Sequence, residues 1–313
     1  MELAVEARGV EKTFITGLFK KRRTHALKGV DLEVPSGAIF GLLGPNGAGK
    51  TTFLAILATL ITPDRGTVKV LGRDVVTQAE EVRRQINMSS GHANFLWSLT
   101  VRENVEFYCM LYGLRGRQLH KKTDELIELF ELNEFKATRF ESCSTGTKQR
   151  LALAKALVNT PKILFLDEPT VGLDPDVSQR IRRIIKDLHD LKSMTILLTT
   201  HNMAEAEELC HEIALIKDGR IWIRGRAGEI KEKMHLGDMV RIRLLDSVPV
   251  PDFLGLPGIW ETATQDGWLL IQLDDHRKRL QGILHRLASQ GRVVEDLSIE
   301  ETRLEDVFVR FVR

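Results

Sequence analysis

The chain has 313 residues, 43% of them hydrophobic and 28% charged, which is typical of a globular protein with one large domain or two smaller ones. Its formal net charge of +2 does not indicate a nucleic-acid-binding protein. The longest nearly continuous apolar stretch, 53–61, is far shorter than the roughly 20 residues of a membrane span, and the opening residues MELAVEARGV lack the apolar core of a signal peptide.

The region up to about residue 78 is predicted to form strands joined by short turns, with one helix. The apolar run AIFGLLG predicts a buried strand, and the helix follows the glycine-rich stretch that begins at Gly44. We expect the basic run from Lys20 to Arg23 to be the solvated loop of a hairpin. From Glu80 to about Arg139 the pattern is helical and charged, as in DELIELFEL.

Apolar strands then alternate with helices. KILFLDEP predicts a buried strand, Asp174 and Pro175 suit the cap and first position of the helix DVSQRIRRIIKDLHD, and MTILLTTH predicts the next strand. This alternation implies an α/β fold with a mainly parallel sheet covered on both faces.

The composition changes near IRGRAGEIKEKMHLGD. After it, MVRIRLL and WLLIQL alternate like half-exposed strands, and HRKRLQGILHRLAS places Leu280, Ile283, Leu284 and Leu287 on one helix face. We therefore predict a first domain at 1–234, with a helical subdomain at about 80–160, and a small α+β domain at 235–313.

The segment GPNGAGKTT, from Gly44 to Thr52, lies between a buried strand and the helix FLAILATL, which is the context of a phosphate-binding loop. Its glycines allow backbone N–H groups to point inward, and the helix N-terminus adds its positive end. Lys50 is expected to reach the β- and γ-phosphates, and the Thr51 hydroxyl to ligate Mg²⁺. A glycine-rich turn without a ligand is the alternative, and the flanking strand and helix disfavour it.

Polar side chains end two of the predicted strands. Asp167 and Glu168 follow ILFL, and His201 follows TILLTT, so all three are expected at the carboxyl edge of the sheet, where ligands bind. We expect Asp167 to support Mg²⁺ through water and Glu168 to polarise the attacking water. Two carboxylates that merely begin a loop are the alternative. The other eight histidines are interpreted as structural, and the three distant cysteines, Cys109, Cys143 and Cys210, as free thiols in a reducing compartment.

Five motifs in order, GPNGAGKTT, STGTKQRLALAKAL, ILFLDEP, VGLDP and TTHNMAEAEELC, resemble the ATP-binding subunit of ABC transporters over roughly residues 3–230. The STG-x-KQ form and the ending TRLEDVFVRFV resemble the exporters of drugs, polysaccharides and lipids. The resemblance implies a P-loop NTPase ABC cassette with a mainly parallel core sheet, an antiparallel β subdomain and a helical subdomain.

The resemblance also implies a role for individual residues. Glu168 would be the catalytic base, His201 would contact the γ-phosphate, and Asp174 would line a dimer interface. Mg²⁺ would be held by Thr51 and Asp167. ATP would be bound by Phe14, Gly44, Asn46, Gly47, Ala48, Gly49, Lys50, Thr51 and Thr52. The ATP of a second copy would be contacted by the signature residues Ser144, Thr145, Gly146 and Thr147.

Several positions depart from the family pattern. The signature has Cys143 for leucine, Thr145 for glycine and Thr147 for glutamine. The glutamine that senses Mg²⁺ would be at position 91, which is Gly91 here. Either His92 serves instead or the metal takes a water ligand, and we predict measurable ATP hydrolysis.

The leading hypothesis is an ATP-hydrolysing subunit that forms a homodimer around two ATPs. It would drive export through a separate integral membrane permease, at the cytoplasmic face of the inner or plasma membrane. The alternative is a soluble ABC ATPase acting on ribosomes or DNA, although the near-neutral net charge does not provide the strong electrostatic attraction that nucleic-acid binding requires. A P-loop kinase would explain neither the signature nor His201. The C-terminal domain is either a packing and dimerisation accessory or a regulator of cassette opening.

Overall fold

A computed structural model describes residues 2–16, 22–90, 95–234, 237–245, 253, 255–306 and 308. The chain forms two compact units, Met1–Arg224 and Gly225–Arg313. Within the described ranges, no helix combines the length and the apolarity that a membrane crossing requires.

The first unit contains ten strands and seven α-helices among its described residues. The strands are β1 (Leu3–Thr16), β2 (Arg22–Pro35), β3 (Ile39–Leu43), β4 (Arg65–Val70), β5 (Arg73–Asp74), β6 (Ile86–Ser90), β7 (Ile163–Asp167), β8 (Thr195–Thr200), β9 (Glu212–Lys217) and β10 (Arg220–Gly225). The helices are α1 (Lys50–Leu57), α2 (Ala79–Arg83), α3 (Val101–Leu111), α4 (Gly116–Leu129), α5 (Thr145–Ala156), α6 (Pro175–Lys192) and α7 (Met203–Leu209), with short 3₁₀ turns at Asn133–Phe135 and Phe140–Ser142.

The centre of this unit is a six-stranded sheet in the order β10-β9-β3-β8-β7-β6. Strand β3 runs parallel to β8 and β9, and β7 runs parallel to β6 and β8. All residues of β3 and β8 are buried, which explains the continuous apolar sequence of β3 and the aliphatic centre of β8. Because the strands are parallel, their carboxyl ends meet at one edge, where Leu43 pairs with Thr200 and Asp167 with Thr199.

A second sheet, antiparallel in the order β2-β1-β4-β5, packs its inner face onto the same core as α1. The hairpin of β1 and β2 pairs Thr16 with Arg22 and Ile15 with Arg23. The prediction of a basic loop is therefore wrong for Arg22 and Arg23, whose backbones are held in the ladder. Positions 20 and 21 lie outside the described residues.

The helices α3, α4 and α5 pack on the other face of the parallel sheet. Thr100 begins α3 with a capping box, because its hydroxyl accepts from the Glu103 N–H while the Glu103 carboxylate accepts from the Thr100 N–H. The expectation of a helical pattern from Glu80 onward is wrong for β6, which joins the sheet beside β7. A strand of five residues is too short for periodicity to distinguish it from a helical segment.

The second unit is an antiparallel sheet with helices. Its elements are α8 (Ala227–Lys233), β11 (Asp238–Leu244), β12 (Ile259–Gln265), β13 (Trp268–Leu273), α9 (His276–Ser289) and β14 (Val294–Glu300), with the strand order β12-β13-β11-β14. As the sequence predicts, α9 is amphipathic: Ile283 and Leu287 are fully buried against Val240 and Ile271 of the sheet.

Candidate functional site

The loop between β3 and α1 is closed by the side chain of Lys50. Its ammonium donates to the Gly44 carbonyl at 2.7 Å and to the Pro45 carbonyl at 3.3 Å. The side chain is only 4% exposed, and its Nζ lies 3.4 Å from Oε1 of Glu168. A nearly buried ammonium thus stands between the loop backbone and a carboxylate, which is where a phosphate group would find a positive charge.

Two glycines give the loop its shape. Gly49 has φ of +107°, and a Cβ there would lie 2.5 Å from the Ala26 carbonyl oxygen. Gly47 has φ of +81°, and a Cβ there would meet no atom within 4 Å, so the space above it is open. The loop is also braced by the Gly219 N–H, which donates to the Ala48 carbonyl at 3.0 Å. No local sequence pattern indicates this hydrogen bond.

A cleft of about 310 Å³ opens over the loop. It is lined by the loop residues from Pro45 to Thr52, by Glu168, and by Phe14 and its neighbours on the β1–β2 hairpin. Phe14 is 37% exposed there. The ring that the resemblance assigns to adenine therefore lies on the same cleft as the phosphate loop, and its role stays a prediction.

Asp167 ends β7 and accepts two hydroxyl hydrogen bonds on Oδ1. The donors are Thr199 at 2.6 Å and Thr51 at 3.3 Å. Carboxylate and hydroxyl oxygens are ligands that Mg²⁺ prefers, so this pair fits the predicted metal. Thr199 was missed from the sequence. Its signal is a threonine that directly follows the aliphatic centre of a buried strand, where a fully buried hydroxyl requires a hydrogen-bond partner.

Glu168 has a left-handed backbone, with φ of +50°. Its N–H donates to the Thr199 carbonyl at 3.1 Å and approaches the Thr199 hydroxyl at 3.2 Å, which holds this uncommon conformation in place. Nδ1 of His201 lies 2.9 Å from Glu168 Oε2. The structure thus brings together Lys50, Glu168 and His201, as the sequence predicts from the carboxyl ends of β3, β7 and β8.

The signature segment begins α5. Ser144 occupies the N-cap position, where its Oγ accepts from the Thr147 N–H at 3.2 Å and lies 3.0 Å from the Thr147 hydroxyl. Thr147 is 1% exposed, and a Cβ on Gly146 would lie 2.8 Å from Val177 of α6. None of the residues from Ser144 to Thr147 lines the cleft over the phosphate loop of the same chain.

Asp174 stands at the N-cap of α6 with Pro175 behind it, as predicted, but its carboxylate makes no capping hydrogen bond. The carboxylate is exposed, and only the Asp174 carbonyl serves the helix, accepting from the Ser178 N–H at 2.9 Å. Gly91 and His92 lie outside the described residues, so their part in metal binding stays a prediction.

The three cysteines are free thiols, as expected. Burial raises the pKa of Cys109, Cys143 and Cys210 above the ordinary thiol value. Cys143 therefore precedes the signature serine as a small buried side chain rather than as a thiolate.

A phosphate loop at the end of β3, a carboxylate pair at the end of β7 and a histidine at the end of β8 define an ATP-binding cassette of the P-loop class. Residues 27–171 match the family described as ABC transporter. Over 311 residues the chain is 35% identical to the daunorubicin/doxorubicin resistance ATP-binding protein DrrA of Streptomyces peucetius, covering 98% of this chain and 91% of that protein. The chain therefore belongs to the family of ABC transporter ATP-binding proteins, and it is an ATPase of that family.

Two further similarities agree with this assignment. The Nod factor export ATP-binding protein I of Burkholderia thailandensis is 35% identical over 290 residues, which cover 90% of each chain. The ATP-binding cassette MJ0796, solved as a dimer in a post-hydrolysis state bound to ADP and Pi, is 29% identical with a TM-score of 0.65, covering 71% of this chain and 98% of that one. The predicted family and cassette fold are confirmed. The kinase alternative is excluded by the family.

Proposed function

We propose that this chain is the ATP-hydrolysing subunit of an exporter, acting as a homodimer with a separate membrane permease at the cytoplasmic face of the inner or plasma membrane. The observation that carries the proposal is the convergence of Lys50, Asp167, Glu168 and His201 at one edge of the parallel sheet. Relatives named for drug resistance and for Nod factor export support export rather than an action on ribosomes or DNA.

The phosphate loop supplies the binding energy for ATP. Lys50 and the inward backbone N–H groups from Gly47 to Thr51 would hold the phosphates, and Phe14 would pack on the base. Thr51 and Asp167 would hold Mg²⁺. When bound, this ion neutralises charge on the phosphates and helps to orient them. Thr199 fixes the Asp167 carboxylate for that task through its hydrogen bond at 2.6 Å.

Glu168 is the residue placed to accept a proton from the attacking water. Its two carboxylate oxygens lie next to different side chains, with Lys50 Nζ 3.4 Å from Oε1 and His201 Nδ1 2.9 Å from Oε2. When the γ-phosphate of ATP accepts from the Lys50 ammonium in place of Glu168, Oε1 becomes free to accept a hydrogen bond from water. His201 remains in contact with Oε2. The base is thereby oriented before the reaction begins.

The second copy completes the site. The N-terminus of α5 does not line the cleft of its own chain, and the Asp174 carboxylate is exposed. We therefore place Ser144 to Thr147 over the ATP held by a partner, with Asp174 in the interface. ATP then favours the closed dimer because only the closed state offers both contacts, and hydrolysis reopens it.

The test replaces Glu168 with glutamine. Glu168→Gln should bind ATP with unchanged affinity and lose at least about a hundredfold in hydrolysis rate, because the amide cannot accept the proton of water. Asp187→Asn, the same chemical change at an exposed position of α6, is the matched control and should retain full activity. Normal hydrolysis by Glu168→Gln would reject the assigned base.

The export role is tested by identifying what copurifies with the chain. The tagged full chain, purified from detergent-solubilised cells, should carry an integral membrane protein. Recovery of ribosomes or DNA instead would favour the alternative class of soluble ABC ATPases.

The role of the second unit is tested by deletion after Arg224, where the two units divide. At protein concentrations that keep the dimer formed, a regulatory role predicts a changed basal ATPase rate, and a packing accessory predicts the same rate, with weaker dimerisation at lower concentration.

A further inference from the structure

A buried carboxyl group, that of Glu205, lies close to the site, within the segment TTHNMAEAEELC but with no role assigned to it above. Glu205 is in the first turn of α7 and is 1% exposed. Its N–H donates to Oδ1 of Asn202 at 3.2 Å, and Asn202 is the N-cap residue of the helix. The backbone of Glu205 thus completes the helix cap while its side chain points into the protein.

Glu205 is linked to threonines from two different segments. The Thr170 hydroxyl donates to Glu205 Oε1 at 2.7 Å, while Oε2 is buried without a hydrogen-bond partner among the described residues. Thr200 is linked through Asn202: its Oγ1 accepts from the Asn202 N–H at 2.9 Å, and the Asn202 side chain accepts from the Glu205 N–H. Both threonines are buried, at 9% and 3% exposure.

These two threonines are adjacent to the reacting residues. Thr170 comes two positions after Glu168, and its carbonyl accepts from the Leu173 N–H at 3.3 Å in the loop that leads to Asp174. Thr200 ends β8 and immediately precedes His201. Glu205 therefore connects two segments: its carboxyl group holds the segment that carries the base, and its backbone, through Asn202, holds the strand end that carries the histidine.

We propose that Glu205 is a positioning residue, which holds the Glu168 segment and His201 in register so that the contact of 2.9 Å between their side chains is kept through the reaction cycle. The proposal rests on the proposed function, since it assumes that Glu168 and His201 act on ATP. It adds a residue from α7 that does not line the cleft over the phosphate loop.

Burial raises the pKa of the Glu205 carboxyl, Thr200 and Thr170 oppose that shift, and the charged groups that face it are Arg182 of α6 and Glu168. A glutamine carbonyl can accept from the Thr170 hydroxyl as Glu205 Oε1 does, so glutamine should replace glutamate here. A leucine fills similar space and accepts nothing, which would leave the buried Thr170 hydroxyl without its partner.

Steady-state ATPase kinetics of the full chain separate positioning from binding. Glu205→Leu should lower kcat at least tenfold with KM changed less than twofold, because neither Thr170 nor Thr200 lines the ATP cleft. Glu205→Gln should retain more than half of kcat. Glu207→Ala, at an exposed position of the same helix, is the matched control and should leave both constants unchanged.

A milder variant keeps the test valid if Glu205→Leu fails to fold. Thr170→Val removes only the hydroxyl and should lower kcat severalfold at constant KM. It should have no added effect in the Glu205→Leu background, because the two variants remove the same hydrogen bond. Full kcat in both Thr170→Val and Glu205→Leu would overturn the proposal, as would a loss of kcat in Glu205→Gln equal to that in the leucine variant.

The outcome for Glu168→Gln distinguishes a failure of the proposed function from a failure of the role of Glu205. If Glu168→Gln hydrolyses ATP normally, the proposed function fails. If it is inactive while Glu205→Leu and Thr170→Val are fully active, only the role of Glu205 fails.

Discussion

Replacement of Thr199 by valine tests how the two carboxylates are held. Valine has nearly the same volume as threonine, so the buried strand keeps its packing and loses only the hydroxyl. The hydroxyl donates to Asp167 Oδ1 at 2.6 Å, and its oxygen lies 3.2 Å from the Glu168 N–H. The Glu168 N–H keeps the Thr199 carbonyl at 3.1 Å, so the variant should still fold.

The size of the effect follows from the bond to Asp167. A hydrogen bond to a charged group contributes about 1.5–3 kcal/mol, and about 1.4 kcal/mol corresponds to a factor of ten in rate. If that energy fixes the carboxylate in the transition state, Thr199→Val should lower kcat by about tenfold to a hundredfold. The Mg²⁺ concentration for half-maximal activity should rise as well, since Asp167 is a metal-supporting residue.

The assay is steady-state ATP hydrolysis over a range of Mg²⁺ concentrations, with ATP binding in the absence of Mg²⁺ measured in parallel. Thr199→Ser is the matched control because it keeps the hydroxyl and loses one methyl group, and it should stay within a few-fold of the native rate. If Thr199→Val hydrolyses ATP at the native rate with the native Mg²⁺ dependence, the hydroxyl does not position Asp167 and the reasoning is refuted.

Three further predictions concern the loop, the signature and the buried acid. Gly49→Ala forces a side chain against the Ala26 carbonyl and should weaken ATP binding at least tenfold by titration calorimetry, whereas Gly72→Ala, also at positive φ but in open space, should leave it unchanged. Thr147→Val removes the hydroxyl next to Ser144 Oγ and should weaken ATP-dependent dimerisation. Thr147→Ser keeps a hydroxyl and should dimerise like the native chain. Equal dimerisation by the two variants would contradict a role of this hydroxyl in dimerisation. Burial gives folded Glu205 a pKa above its value in the unfolded chain, so its proton stabilises the fold at low pH and this contribution is lost as pH rises above about 4.5. The unfolding free energy of Glu205→Gln, relative to the native chain, should therefore increase from about pH 5 to about pH 8 in urea titrations, and a constant difference would argue against the shifted pKa.

Much of the site follows from the sequence because local rules place it. A glycine-rich loop after an apolar strand and polar residues that end parallel strands must meet at one edge of a sheet, and Lys50, Asp167 and His201 do so. The same rules do not reveal partners that are distant in the chain. The contact of Thr199 with Asp167, and that of Glu205 with Thr170, depend on which strands become neighbours in the sheet.

Local patterns also failed where the elements were short or polar. The strand β6 has five residues, so its period could not be separated from the charged helical pattern around it. The arginines at 22 and 23 are typical of a loop by composition, and backbone pairing with β1 extends the hairpin through them. The Asp174 carboxylate makes no capping hydrogen bond to α6, although aspartate at an N-cap position predicts one. A role of this side chain in a dimer interface would explain the difference.

The central claim is that two copies enclose ATP between the phosphate loop of one and the signature of the other. Sedimentation velocity of the Glu168→Gln full chain, with and without saturating Mg-ATP, tests it directly. We predict a nucleotide-dependent dimer that is weakened when Ser144→Ala is added, since that change removes the hydroxyl at the N-terminus of α5. A Glu168→Gln protein that binds Mg-ATP fully and remains a monomer would contradict the account.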